Sequence, residues 1–480
     1  MKVLLVNPPL CNFRKSSAHS MPMGLLYLAA VLERDGYEAK VIDADALKLT
    51  WEKLRERLKA ENPNLVGITS TSLSWPAMTE TARICKEVLP NSKIIVGGFG
   101  ATLEPERALN DCAEIDFVCL GEGEKTIIDL VKALESNLPI REVKGLVIRD
   151  GNGLLRTEKQ ETIMDLDTIP PPAYHLLEPG FESYSGVHGD YQGIEPPSIV
   201  MFASRGCPHR CIFCSLGSKV VRSRSPKKVV DEIEFYKNKF KVKSVLIYDD
   251  EFIGMSTMQN KWILDICDEI IKRGHDDLGY LVEGRCSQFV DLAVLKRMKE
   301  AGIKWVWWGV ESGSQKVLDS IKKDITIANI KRTFALTRQA GLKSLMFIMT
   351  GFPEETEEDV KKTADLLAEV KPDKCRIHIV TPMPGSELFR ILNEQKLIDE
   401  YDFLEYNMRG RAVHHTKYFS QEEIKKNYEM LKFRFEEGHK KFIKVFFTSF
   451  LSVKGLKKIP RRIKKVFVYG LKWLKWGVKY

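Results

Sequence analysis

The chain has 480 residues, 44% hydrophobic and 29% charged, with 10 cysteines and a formal net charge of +9. This balance suits a water-soluble globular protein of about three domains and excludes a disordered or low-complexity chain. It holds no apolar run of about 18 residues to span a membrane, too few cysteines for a disulfide-stapled scaffold and no apolar start long enough for a signal peptide, so a reducing cytoplasm is expected.

Strands are expected at residues 2–6, 38–43, 65–69, 93–96 and 117–120, with amphipathic helices such as 24–34 between them. Residues 1–150 therefore read as an α/β domain, a doubly wound, Rossmann-like parallel sheet. Such sheets bind ligands beyond their carboxyl edge. Three loops there are small and polar: Thr69-Ser70-Thr71-Ser72, Gly97-Gly98-Phe99-Gly100-Ala101-Thr102 and Gly121-Glu122-Gly123-Glu124. Glycines let a backbone approach a ligand closely. The spacing is not Gly-x-Gly-x-x-Gly, which speaks against a dinucleotide.

Residues 151–195 read as a linker punctuated by Pro170-Pro171-Pro172. A second alternation follows over 196–400, with strands expected at 198–204, 243–249, 279–285, 304–310, 344–350 and 374–380. Six strand–helix units predict a partial (β/α)6 barrel of TIM type, with its chemistry at the strand carboxyl ends. Period-two alternation puts Trp305, Trp307, Gly309 and Glu311 on one strand face. Two tryptophans in a lumen suggest a bulky or apolar substrate, although ordinary barrel packing is the simpler account. His378 reads best as a core histidine, and the run Asp249-Asp250-Glu251 as a strand-end site.

Residues 401–480 are expected to form a helical extension with a basic tail. From 438 to 480 there are 11 Lys, 2 Arg and no Asp or Glu, so this +13 stretch leaves −4 for the remainder. Ile463, Val466, Phe467, Gly470, Trp473 and Leu474 share a helical stripe, with Arg461, Lys465, Lys472 and Lys479 roughly opposite. Such a helix over 442–480 suits an anionic membrane surface, which would make the protein peripheral on the inner face of the membrane. The competing readings are packing on the barrel and nonspecific nucleic-acid binding; a specific nucleic-acid site is not expected.

Cys207, Cys211 and Cys214 follow the first barrel strand as Cys-Pro-His-Arg-Cys-Ile-Phe-Cys. Three thiolates at this spacing can hold three irons of a 4Fe-4S cluster and leave the fourth open. No second Cys or His pair lies nearby to complete a zinc site. The segment resembles the cluster loop of the radical S-adenosylmethionine (SAM) enzymes. Further strand ends resemble theirs too: Asp249–Phe252, Glu283–Ser287, Gly309–Ser314, Thr350–Thr356 and Thr381–Ser386. The resemblance implies SAM chelated to the open iron and cleaved by one electron to a 5′-deoxyadenosyl radical. It implies SAM contacts from Phe213, Arg285, Glu311, Ser312, Gly351 and Thr381, with Arg285 suited to the carboxylate and Glu311 to the ribose.

The N-terminal loops, with Asn7-Pro8-Pro9 and residues 22–28, resemble the cobalamin-binding domain that precedes the barrel in one subgroup. That places Thr69, Ser70, Ser72, Gly97, Gly98, Gly100, Gly121, Glu122 and Gly123 at the cobalamin. The Asp-x-His-x-x-Gly signature is absent and His19 lacks its context, so no histidine ligand to cobalt is expected. The leading expectation is a cobalamin-dependent methyltransferase acting on an unactivated carbon of a small molecule or lipid, reduced by a flavodoxin or ferredoxin. Anaerobic porphyrin-ring cyclases share these motifs and form the alternative. A tRNA methylthiotransferase would need Cys11, Cys85, Cys112 and Cys119 to hold a second cluster, and a cobalamin sensor would not need the cysteine triad.

Overall fold

The computed structural model describes residues 1–13, 21–178, 180, 184, 191–215, 218–406 and 410–438. The expected tail helix over 442–480 and His19 lie outside the described residues.

The first sheet is built from β1 (Lys2–Asn7), β2 (Glu38–Asp43), β3 (Leu65–Thr69), β4 (Lys93–Gly97) and β5 (Phe117–Cys119), all parallel in the order β2-β1-β3-β4-β5. Alternation along β1 explains how it is covered on both faces. Val3 and Leu5 enter one apolar cluster, Leu4 and Val6 the other, and all four are fully buried. The strand order reverses between β1 and β3, so the ligand crevice expected of such sheets opens between Asn7 and Thr69.

The sheet does not stop at residue 150. An antiparallel hairpin, β6 (Leu146–Asp150) and β7 (Gly153–Arg156), extends its β5 edge. Its turn is Asp150-Gly151-Asn152-Gly153, with Gly151 at φ 57°. Asp150 pairs with Gly153, so the two-residue loop is Gly151-Asn152, a hairpin signal that the linker reading overlooked.

The second sheet is wholly parallel and six-stranded: β8 (Ser198–Met201), then, beyond a short antiparallel pair β9 (Ser204–Arg205) and β10 (Arg222–Ser223), β11 (Ser244–Ile247), β12 (Gly279–Arg285), β13 (Ile303–Glu311), β14 (Lys343–Thr350) and β15 (Lys374–Ile379). The order β15-β14-β13-β12-β11-β8 gives the open partial barrel. Helices between these strands start on local caps: Ser256 accepts from Gln259 N, Thr326 from Asn329 N, and Thr356 forms a capping box with Asp359. The chain ends, among the described residues, in the helix Gln421–Gly438, which packs on Glu357–Val370 and the outer side of β14 and β15. No helix among the described residues is long and apolar enough to cross a membrane.

The carboxyl edges of the two sheets meet. Arg222, on the strand after the cysteine loop, makes a bidentate pair with Glu122 at 2.6 and 2.9 Å. Arg205 reaches Glu124 at 2.6 Å and lies over the Tyr27 ring. A Cβ on Gly385, beyond β15, would stand 2.5 Å from the Leu103 side chain. Phe403 adds a strap, packing edge-on against Trp75 and under Arg107. The mouth of the barrel therefore faces the loops that end β3, β4 and β5.

Candidate active site

The cysteine loop is carried between β9 and β10 and drawn to the barrel by backbone bonds. Ile212 N donates to Ile321 O and Leu388 N to Ile212 O. None of the three is in a disulfide, and Cys207 and Cys211 are half-buried while Cys214 is exposed. Burial pushes the Cys207 thiol up to about 11, so a bound metal must be what holds it as thiolate. Beside it, His209 Nε2 and Glu251 pair at 3.1 Å, and Cys207 Sγ lies 3.7 Å from the same carboxylate. The acidic run after β11 is therefore part of the site region. Asp249 caps the loop's start instead, accepting from Ala203 N and Ser204 Oγ at 2.7 Å each.

Arg285 ends β12 with its Nη1 4.0 Å from Cys211 Sγ. Its Nη2 is buried without a partner, so a fork-shaped donor points at the cluster loop with nothing to bind. That is a fit for a carboxylate ligand. Glu311 ends β13 at φ 71°, a backbone region a glutamate rarely adopts. The register slips between Gly309 and Glu311, a bulge that re-aims the strand end. Lys323 binds the Glu311 carboxylate at 2.8 Å, and both side chains are nearly buried. Burial, the largest single influence, would lower the Lys323 ammonium, but the charge and hydrogen bond of Glu311 together with nearby Cys211 raise it. Lys323 also sits under the Phe213 ring at 5.9 Å, and Phe213 packs on Phe352. Sequence reading missed Lys323, which comes from a turn far from any strand end.

The other expected SAM contacts divide. Thr381 is buried at the mouth, its hydroxyl turned to Ile379 O. Gly351 stands at φ 97°, where its N–H donates to Glu355 at 2.6 Å and its carbonyl faces His414 Nε2 at 2.8 Å. Ser312 is corrected: fully buried, it meets Thr363 Oγ1 at 3.3 Å and Ser314 N at 3.1 Å, on the helix side of the sheet.

Glu355, also missed, is fully buried and accepts from Gly351 N and Thr350 Oγ1 through one oxygen while the other has no partner. Burial pushes its carboxyl up to about 7. An unfolded glutamate titrates near 4.3, so the folded state binds more protons between these values and stability falls as pH rises through that window. Glu355→Gln should remove this penalty and gain on the order of 2 kcal/mol over wild type at pH 8 but little at pH 4, read from urea melts at both.

In the first domain Thr69 and Ser72 are half-buried, while Thr71, Gly98, Phe99 and Gly121 are exposed toward the mouth. Gly98 (φ 85°) and Gly100 are needed for the close approach of two loops: a Cβ would lie 2.7 Å from Ser70 O and 2.8 Å from Thr71 C respectively. Gly97 ends β4, and Gly123 leads into the helix Glu124–Glu135. Two expected cobalamin contacts are corrected. Ser70 is buried, its hydroxyl bonded to Gly97 O and Ala101 N, so it staples the loops together. Glu122 gives both oxygens to Arg222, so it joins the domains. The surface that remains is uncharged and glycine-rich, a fit for a large ring lying flat. Cys119 belongs to one core cluster of the sheet and Cys85 and Cys112 to the other, so these thiols cannot converge on a second cluster.

Comparison with known proteins agrees with this division. The Radical SAM superfamily profile matches residues 201–367 and the B12 binding domain profile residues 11–131. An uncharacterized methyltransferase of Pyrococcus horikoshii is 32% identical over 89% of this chain and 90% of its own. The anaerobic magnesium-protoporphyrin IX monomethyl ester cyclase of Rubrivivax gelatinosus is 30% identical over 85% of this chain and 72% of its own. Among solved structures, the cobalamin-dependent SAM radical enzyme OxsB, with aqua-cobalamin and SAM bound, superposes with a TM-score of 0.74 at 19% identity, covering 98% of this chain and 70% of that one. The methyltransferase TsrM of Kitasatospora setae, with cobalamin and a [4Fe-4S] cluster, gives 0.67 at 20% identity, covering 82% and 75%. The chain belongs to the radical SAM enzymes that carry a B12-binding domain.

Proposed function

We propose that this enzyme transfers a methyl group to an unactivated carbon of a substrate held in the barrel lumen, using SAM, a 4Fe-4S cluster and cobalamin. The observation that carries the reading is the meeting of the two carboxyl edges, which sets Cys207, Cys211 and Cys214 across one mouth from Gly97, Gly98 and Gly121. When bound, the cluster and SAM supply hydrogen abstraction and cobalamin supplies the methyl group. The chain's own part is to hold and orient. Cys207, Cys211 and Cys214 bind the cluster, and the free edge of Arg285 takes the SAM carboxylate. Glu311, locked by Lys323, accepts from the ribose hydroxyls. Phe213 and the strand ends at Gly351 and Thr381 flank the adenine. Thr69, Ser72, Gly97, Gly98, Gly100, Gly121 and Gly123 shape the cobalamin face, which offers no histidine to the cobalt among the described residues. A flavodoxin or ferredoxin is the proposed reductant.

The lipid reading of the substrate rests on Trp307 and Phe347, since Trp305 is engaged beneath the lumen by Gln192 O at 3.0 Å. Ring formation without methyl transfer is the second reading, favoured by the 30% identity to the cyclase. Reconstituted protein given cobalamin, methyl-deuterated SAM and titanium(III) citrate should yield both 5′-deoxyadenosine and S-adenosylhomocysteine. The first product without the second would favour the cyclase; neither would sink both readings.

A further inference from the structure

Deeper in the lumen stands a set of groups that the chemistry above does not use. Trp307 lies at its centre, with ring centroids of Tyr191, Tyr248 and Phe347 at 5.3, 5.7 and 5.8 Å. Arg376, on β15, lays its guanidinium over the Trp307 ring, 4.8 Å from the centroid, and donates from Nη2 to Tyr191 Oη at 2.7 Å. A stack and one hydrogen bond fix the plane of the fork and leave most of its five donors unused. No carboxylate among the described residues lies within ion-pair distance of it.

Trp307 and Tyr191 belong to the main apolar cluster, whereas the strand faces beside them are only partly covered. Along β14 and β15, half-buried Phe347, Met349, Arg376 and His378 alternate with buried Ile348 and Ile377. The ladder sets Arg285, Gly309, Phe347 and Arg376 in one row across four strands. Gly309 carries no side chain, and the Glu311–Lys323 pair takes that space, 3.0 Å from where a Cβ would stand. The indole Nε1 of Trp307 is also buried without an acceptor. Glu283 on β12 lies at lower register beside Trp307, beyond ion-pair distance but near enough to feel the Arg376 charge.

We propose that Arg376, stacked on Trp307, anchors an oxyanion of the substrate, a carboxylate or a phosphate-type group, and that Trp307 and Phe347 take the flat or apolar part next to it. This makes Arg376 a specificity-determining residue and the substrate an anion with an apolar body. The proposal rests on the lumen being the reaction chamber.

The test is equilibrium binding to reconstituted protein saturated with SAM, so that Arg285 is already engaged. Tryptophan fluorescence is followed while 3-phenylpropionate, phenylphosphonate or the neutral 3-phenylpropanamide is added. At least one anion should bind about tenfold or more tightly than the amide; which one does so separates a carboxylate from a phosphate-type substrate. Arg376→Gln should abolish the preference for the acid and Arg376→Lys should keep part of it, each checked for folding by its thermal midpoint. Equal binding of acids and amide, no binding of any probe, or a preference that survives in Arg376→Gln overturns the proposal. The acid–amide comparison stands on wild type alone if the variants fail to fold. Iron content and 5′-deoxyadenosine formation are read separately, so a failed radical reading and a failed anchor give different results.

Discussion

Anaerobically reconstituted Cys211→Ala protein, supplied with hydroxocobalamin and passed through gel filtration, is expected to keep about one cobalt per chain and lose its iron. Formation of 5′-deoxyadenosine should fall by about a thousandfold or more, equivalent to roughly 4 kcal/mol of lost transition-state stabilisation. The size of the effect follows from the donor count. Three soft sulfur ligands on one short loop are what the cluster has, and His209 and Glu251, 3.1 Å apart, are grouped with Cys207. Neither supplies a thiolate at the Cys211 position, which the Arg285 guanidinium approaches at 4.0 Å. Cobalt should be indifferent to the change, because the glycine-rich loops of the first domain are held by their own bonds, such as Ser70 Oγ with Gly97 O and Ala101 N. Full iron in the variant would remove the triad as the ligand set. Iron without cobalt in wild type would remove methyl transfer and leave the radical chemistry.

What could be read from sequence was local. The cysteine spacing, the strand-end motifs and the alternation of strands and helices are patterns within a few residues, and each parallel strand of both sheets was placed to within a residue or a few. The failures share a cause. Ser70, Ser312 and Glu122 sit in loops where site residues are expected, but their polar atoms meet Ala101, Thr363 and Arg222, partners set by tertiary folding. Lys323 and Arg376 went unnoticed for the converse reason. One lies on a turn after a short helix and the other in mid-strand, and only the assembled sheet brings them to Glu311 and Trp307. The hairpin at Gly151 was legible and was overlooked, because proline-rich punctuation downstream dominated the reading of that segment.

Lys323→Met should destabilise the protein by about 3–5 kcal/mol, the usual result of removing one partner of a buried ion pair. The argument lies in what remains. Glu311 would be left at 8% side-chain exposure without its ion-pair partner. Its backbone at φ 71° already stores strain of roughly 1–3 kcal/mol, which the pair with Lys323 helps to hold. The carboxylate cannot retreat either: a Cβ at Gly309 would lie 3.0 Å from both Glu311 Oε1 and Lys323 Nζ, so the pair fills the space left by that glycine. The double variant Glu311→Gln/Lys323→Met leaves no buried charge and should recover most of the loss, giving a coupling of about 2 kcal/mol or more in a double-mutant cycle. Function separates from stability here. Glu311→Gln keeps one oxygen acceptor for a ribose hydroxyl, yet loses the anion that a hydroxyl donor prefers, so SAM affinity should fall about tenfold in the stable double variant as well. Urea melts give the cycle and equilibrium dialysis with SAM gives the affinity. A coupling near zero would mean that Lys323 answers to some other group, and unchanged SAM affinity in the double variant would take the ribose contact away from Glu311.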